Sequence, residues 1–284
     1  MKTNLKLFIL LLLIIKVNFC ISQVIGKCVD ESGAPIPFLN IAIKNTSLGT
    51  VTDENGIFTI NEGLPNNNDS LVFTHIGYKM QTISANRRDT IKVIMFPSEY
   101  QLNEVNIRPS DYIYKKEKIV GTETSSDHVV LSFSSHNLGT EIGKVIEVKK
   151  GKRYKVEKIN FHLSKFNYSK STFRVNFYKI NENNVIETVR ENYNDIIKEV
   201  SDIGMVKIDV SNENLEFEND FLVSIEWIDF IEKERSDPNL EKNIFFSSTV
   251  FSGPFYLRNN NLLKWKKIEG KFNMGLGINL NVKY

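Results

Sequence analysis

"NTSLGTVTDENGIFTI", residues 45–60, decides the fold, because Asp53-Glu54-Asn55-Gly56 reads either as part of a calcium loop or as a turn between strands. If Gly56 were the sixth residue of a helix-flanked calcium loop, position one would be Val51, three Asp53, five Asn55 and twelve Glu62. Valine has no side-chain oxygen to offer. The flanks "GTVT" and "IFTI" also read as strands, whereas a calcium loop sits between helices. Asn55-Gly56 supplies two residues that tolerate positive φ, as a tight hairpin demands, so the stretch is read as a hairpin without metal.

Outward from this turn, period-two alternation dominates. In "FLNIAIKN" the apolar Leu39, Ile41 and Ile43 alternate with Asn40, Ala42 and Lys44, and in "DTIKVIMF" Ile91, Val93 and Met95 share one face. "DESGAPIP" (30–37) and "GLPNNND" (63–69) punctuate these runs with turn residues. Short strands so separated indicate an all-β sandwich or barrel.

The set Gly26, Asp30, Gly33, Pro35, Pro37, Asn40, Gly49 to Asp53, Asn55-Gly56, Phe58 and Ile76-Gly77-Tyr78 closely resembles the carboxypeptidase regulatory-like domain. The likeness extends over about residues 23–108. It implies a transthyretin-like, seven-stranded, non-catalytic accessory sandwich of the kind found at the N-termini of many Gram-negative envelope proteins. "QLNEVNI" (101–107) is similar to the segment that follows this domain in TonB-dependent glycan receptors. The family name implies no peptidase activity: none of His75, His128, His136 or His162 has glutamate three residues later, as a zinc carboxypeptidase would require. A plugged receptor barrel of roughly 22 strands needs more residues than follow position 108.

The chain of 284 residues is 41% hydrophobic and 25% charged, enough to fill one or two cores, and its net charge of +2 is too balanced for a nucleic-acid surface. "MKTNLKLFILLLLIIKVNFCISQ" places Lys2 and Lys6 before an apolar run from Leu7 to Ile15 and reads as a signal peptide, residues 1–22, cleaved after Ser22. The run is too short to span a bilayer, so no transmembrane helix is expected after cleavage. Cys20 offers a lipoprotein alternative, disfavoured by Phe19 where a small residue is needed. Cys28 then remains as the single thiol, in a strand-like setting that suits a small buried side chain rather than a nucleophile.

The predicted organisation is a carboxypeptidase regulatory-like domain over 23–97, a partly ordered connector over 98–120, and a jelly-roll-like second sandwich over 121–284. Ile159, Phe161 and Leu163, then Phe173, Val175 and Phe177, then Phe221, Val223, Ile225 and Trp227 each form an apolar face, leaving the alternate polar positions to solvent. "NVIETVRENYNDIIKEV" (184–200) accommodates a short helix or an irregular crossover. The last strand, Phe272 to Tyr284, would also suit the close of an outer-membrane barrel, but the charges of "YKVEKINFHLSKF" and "LLKWKKIEGKF" oppose that.

Candidate binding residues form two groups. "EVKKGKRYKVEK" (147–158) concentrates Lys149, Lys150, Lys152 and Arg153 around Gly151, a cationic hairpin tip for an acidic glycan or partner. Trp265 and Tyr256 offer flat faces to sugar rings, with Arg258 as a hydrogen-bond donor, and Trp265 is expected to be exposed. "SSDHVVLSFSSHNLGTEIG" (125–143) gathers Asp127, His128, His136 and Glu141, but has no nucleophile elbow and no metal-ligand spacing. The chain is therefore expected to be an exported, non-enzymatic protein of the periplasm or outer-membrane surface, without cofactor, metal or nucleic acid, recognising a glycan or an envelope protein. The alternatives are a secreted hydrolase of glycan or peptide using the 125–143 cluster, and a structural subunit of an envelope assembly.

Overall fold

The computed structural model describes residues 24–60, 69–85, 90–98, 112–134, 138–191, 194–233, 243–269 and 272–284. The leader, His136 and most of the connector lie outside these residues. The N-terminal strands are β1 (Val24–Val29), β2 (Asn40–Ile43), β3 (Gly49–Val51), β4 (Ile57–Ile60), β5 (Asp69–Thr74), β6 (Gln81–Ala85) and β7 (Thr90–Ile94). They form two sheets, β4-β1-β7 and β3-β2-β5-β6, in which only the β1/β7 pair is parallel. Alternation fixes which side chains face inward, so Leu39, Ile41, Ile43, Phe58, Phe73, Val93 and Met95 meet in one core. Cys28 belongs to that core, and burial pushes its thiol up to about 12, which leaves it a small apolar side chain at neutral pH.

The opening stretch does turn the chain. Gly56 N–H donates to Asp53 O (3.0 Å), Asp53 N–H donates to Ile57 O (2.8 Å), and the Asp53 carboxylate accepts the N–H groups of Asn55 and Ile57 at 2.9 and 2.7 Å. Gly56 has φ 72°, whereas Asn55 is not among the left-handed residues. The turn also differs from a hairpin between paired neighbours, because β3 and β4 lie in opposite sheets and the turn carries the chain across the sandwich. A Cβ on Gly56 would lie 2.4 Å from Cys28 O. Gly56→Ala is therefore expected to cost roughly 1–3 kcal/mol in denaturant unfolding, from steric conflict and a disfavoured φ together.

The remaining strands are β8 (Glu117–Gly121), β9 (Val130–Ser134), β10 (Glu141–Ile146), β11 (Tyr154–Phe166), β12 (Tyr168–Lys179), β13 (Ile196–Val200), β14 (Gly204–Asp209), β15 (Glu216–Phe217), β16 (Phe221–Glu232), β17 (Asn243–Thr249), β18 (Phe255–Arg258), β19 (Lys266–Ile268), β20 (Gly275–Leu276) and β21 (Ile278–Lys283). One sheet runs β13-β12-β16-β10-β18-β19; the other runs β20-β17-β11-β21-β8, with β9, β14 and β15 paired to its members. Consecutive strands repeatedly change sheet, and the change from β11 to β12 takes only Asn167. Register shifts flank that corner, at Leu163/Lys165 and Tyr168/Lys170, as expected where a strand bends from one layer to the next.

The space between the sheets is filled. Phe161, Phe173 and Phe246 pack with centroids 5.6–6.0 Å apart, and Trp227, which is buried, stacks with Phe133 and meets Tyr168 edge to face. Ile278, Leu280 and Val282 of β21 point into the same core, so the final strand closes a sandwich and its apolar side faces protein. Strand β8, paired with β21, starts within the stretch read as connector. Residues 184–191 and 194–195 contain no helix; they hold an Ile180↔Ile186 bridge and a series of bends.

Candidate functional site

The expectation that alternate positions of β12 and β16 face solvent does not hold. Arg174, Asn176 and Tyr178 of β12, Ser224 and Glu226 of β16, Glu141 of β10 and Arg258 of β18 are all buried, on the side of the six-stranded sheet away from the core. Register explains how they meet. Arg174 lies opposite Glu226, Glu226 opposite Glu141, and Glu141 opposite Arg258, so four neighbouring strands carry a row of charges in the order plus, minus, minus, plus.

Two like charges in direct opposition repel, and burial makes each one costly. The side chains around them resolve both problems. Arg174 Nε and Nη2 donate to the two oxygens of Glu226 at 2.8 and 3.0 Å, and Arg258 Nε donates to Glu141 Oε1 at 2.7 Å. Asn176 Nδ2 sits between the carboxylates and donates to both, at 2.9 Å to Glu226 and 3.2 Å to Glu141. Ser224 Oγ and Tyr178 Oη donate to Glu141 Oε2 at 2.6 and 2.9 Å. Burial alone would raise the Glu226 carboxyl, but the charge and hydrogen bonds of Arg174, helped by Asn176, outweigh it and hold the group below its ordinary range. Burial likewise pushes the Arg174 and Arg258 guanidinium groups down, and their carboxylate partners more than reverse it.

Three segments cover the row. The N-terminal sandwich contributes Phe38 O, which accepts Arg174 Nη1 at 2.9 Å. The strand-free segment before β13 brings Thr188 O to Arg258 Nη1 (3.3 Å) and Arg190 Nη1 to Asn176 Oδ1 (3.2 Å). It also brings Asp195, which pairs with Arg190 at 2.6 Å and lies 3.7 Å from both Arg174 and His75 Nε2 of the first sandwich. Burial would raise the Asp195 carboxyl; His75, Arg174 and Arg190 together bring it well below the usual carboxylate range. The turn after β18 supplies Asn260 Nδ2, donating to Thr46 O and Leu48 O at 3.2 and 3.3 Å, and Asn261 Nδ2, donating to Thr74 Oγ1. The row is thus the floor of the junction between the two sandwiches.

The residues singled out from sequence are distributed around this arrangement. Arg258 is the buried end of the row, with its guanidinium engaged by Glu141, and is not presented to solvent. Trp265 is half-buried, contrary to the expected exposure: its ring lies 4.6 Å from the Arg258 guanidinium and 5.3 Å from the Tyr178 ring, a cation–π lid over the end of the row. Tyr256 is half-buried in β18. Lys149, Lys150 and Lys152 are exposed around Gly151 (φ 73°), but their turn joins β10 to β11 in opposite sheets and is a crossover, not a hairpin tip. Arg153 pairs with Glu216 at 3.5 Å and with Glu218, at the edge of a cavity of about 350 Å³ also lined by Lys179 and Asp220. The cationic turn and the aromatic group are therefore separate features.

The 125–143 cluster is not assembled by the described residues. Glu141 is bound into the buried row, whereas Asp127 and His128 are exposed, and the Ser126 hydroxyl accepts backbone N–H groups. His162 is half-buried and bonded to Ser247 Oγ (2.8 Å). Among the described residues no group of three His, Cys, Asp or Glu side chains could hold a metal ion, and no helix is long and apolar enough to cross a membrane.

Residues 24–107 match the CarboxypepD_reg-like domain family. Two TonB-dependent receptors of Formosa agariphila are also similar to the chain: one is 32% identical over 111 residues, covering 39% of this chain and 10% of the receptor. The other is 30% identical over 96 residues, covering 34% and 9%. The chain thus spans about a tenth of the length of these relatives. Among solved structures, the cysteine protease and lectin-like domains of a surface layer associated protein of Clostridium difficile align over 59% of this chain and 36% of that one, at 12% identity and a TM-score of 0.41, too loosely to bear on function. The seven strands, their two-sheet order and the sequence match agree: the N-terminal sandwich is a carboxypeptidase regulatory-like domain.

Proposed function

We propose that the protein is a non-catalytic component of the cell envelope, in which the N-terminal sandwich is a fixed support and the C-terminal sandwich recognises a glycan or an envelope protein. An envelope location is supported by the relatives, whose name places them among TonB-dependent receptors. The observation that carries the non-catalytic reading is the fate of the ionisable groups. Arg174, Glu226, Glu141, Arg258 and Asp195, the concentration of charge that would be expected to mark a reactive site, are all committed to one another and covered by the first sandwich and two loops. A buried row satisfied in this way sets the orientation of two bodies and keeps its own acids and bases away from solvent.

The test is to incubate the purified protein with panels of polysaccharides and of peptides, reading retention and product release in parallel. Saturable retention of a polysaccharide or of an envelope protein, with no cleavage products, is the expected result. Release of oligosaccharides or peptides that stops on replacing His128 by Ala would make the protein a hydrolase and end the proposal.

A further inference from the structure

Among the described residues, the most exposed aromatic side chains of the second sandwich are not in the Trp265 group but on a pair of loop tips at another place in the fold. Phe251 is 78% exposed and Phe272 is 55% exposed, and their rings meet edge to face with centroids 6.3 Å apart. Val250, 37% exposed, adjoins them. Such a placement is costly in water, and the backbone beneath it is strained as well: Phe251 has φ 58° and Asn273 has φ 41°.

The two loops hold that conformation through contacts with each other and with the body of the sandwich. Phe251 N–H donates to Phe272 O (2.8 Å) and Ser252 N–H to Asn273 O (3.2 Å). From below, the Lys144 ammonium, a largely buried group whose pKa burial depresses, donates to Ser252 O at 2.7 Å. Ser252 Oγ donates to Thr249 O (3.0 Å), and Gly275 packs so closely that a Cβ there would lie 2.3 Å from Ser252 Oγ. The aromatic pair is thus fixed before any ligand arrives, which lowers the ordering cost of binding.

We infer that the Phe251–Phe272 pair is a stacking platform for a neutral saccharide ring, and so the place where the C-terminal sandwich meets a glycan; this rests on the recognition role proposed above. Size and charge select that occupant. Two phenylalanines so exposed offer roughly 300 Å² of apolar surface, well short of the ~800 Å² per partner of a stable protein interface, but matched to one or two sugar rings. Residues 249–254, "TVFSGP", and 272–275, "FNMG", contain no ionisable side chain, and the Lys144 ammonium beneath them is buried and engaged by Ser252 O, so the described tips offer an acidic glycan or an anionic lipid headgroup no exposed charge of their own. The C–H bonds on the face of a pyranose carry slight positive charge and meet the negative face of an aromatic ring, while the exposed Asn273 amide lies beside the pair as a hydrogen-bonding group for sugar hydroxyls.

The test measures binding of the intact protein to immobilised dextran, mannan and galactan, to polygalacturonate, and to phosphatidylcholine vesicles. Phe272→Ala and Phe251→Asn are compared with the parent, the latter because asparagine tolerates the left-handed backbone. Binding to one of the neutral polysaccharides, weakened about tenfold or more by either substitution with the thermal midpoint unchanged, is expected. Equal affinity in parent and variants would overturn the platform while leaving glycan recognition standing. Absence of binding to every polysaccharide would overturn both, and retention on vesicles alone, lost in the variants, would assign the pair to membrane insertion instead.

Discussion

Arg258→Met is expected to lower the free energy of unfolding by about 3–5 kcal/mol, the range for removing one partner of a buried ion pair. The substitution keeps the aliphatic length beneath Trp265 but leaves Glu141 charged, buried and opposite another carboxylate, Glu226. Tyr178, Ser224 and Asn176 still donate to Glu141, so its oxygens are not orphaned and the loss arises from the missing positive charge. Pairing Arg258→Met with Glu141→Gln tests that cause. The neutral amide retains acceptor capacity and removes the repulsion, so the double variant should recover most of the loss. Urea unfolding followed by tryptophan fluorescence gives both numbers. A single variant within about 1 kcal/mol of the parent would show that solvent already screens the row.

Acid is expected to undo the same junction. Glu226 and Asp195 both have carboxyl groups held below their ordinary values of 4.5 and 3.8, Glu226 by Arg174 and Asn176, Asp195 by His75, Arg174 and Arg190, in each case against the opposing effect of burial. A carboxylate depressed in the folded state binds its proton more readily once unfolded. Its contribution is complete above the unfolded value and disappears as pH falls through the folded one. Stability should therefore be level near neutrality and decline from about pH 4.5 downward, by several kcal/mol in all, since neutralising Glu226 strands Arg174 much as deletion would. Asp229, whose carboxyl is raised by burial, works in the opposite sense and offsets part of the decline. Arg174→Met should be less stable at neutral pH and show a shallower acid profile. A parent protein equally stable at about pH 6 and pH 3 would contradict the assignment.

The architecture was legible because inward-facing positions alternate with little interruption. Leu39, Ile41 and Ile43, or Phe221, Val223, Ile225 and Trp227, allow one reading of their faces, and all are core. The turn at Asp53–Gly56 was also legible, although its role in crossing between sheets was not, since a turn's residues specify local backbone and not which strands pair. The junction was missed for a different reason. A charged residue at an alternate strand position has the same sequence signature whether water or another domain covers it. One signal was present: "FLVSIEWIDF" carries Leu222 and Ile228 on the side of Ser224 and Glu226, so both faces of β16 are apolar enough to be buried. Trp265 was taken as exposed because lysines flank it, yet its partner Arg258 is supplied by a neighbouring strand whose register the sequence does not state. Phe251 carries no local mark that separates a presented aromatic from a buried one, and Phe272, read as the start of the alternating last strand, lies before β20 and is exposed.

Both tryptophans of the chain lie in the second sandwich, and Cys28 lies in the core of the first, which permits one direct measurement of the joint between them. In a Cys20→Ser protein, the urea dependence of Cys28 alkylation is recorded alongside tryptophan fluorescence. If the ionic row and its covering contacts make the two sandwiches one cooperative body, Cys28 becomes reactive at the same urea concentration at which fluorescence changes. Alkylation of Cys28 at distinctly lower urea, with the fluorescence still native, would show that the first sandwich opens on its own and that the junction does not lock the pair.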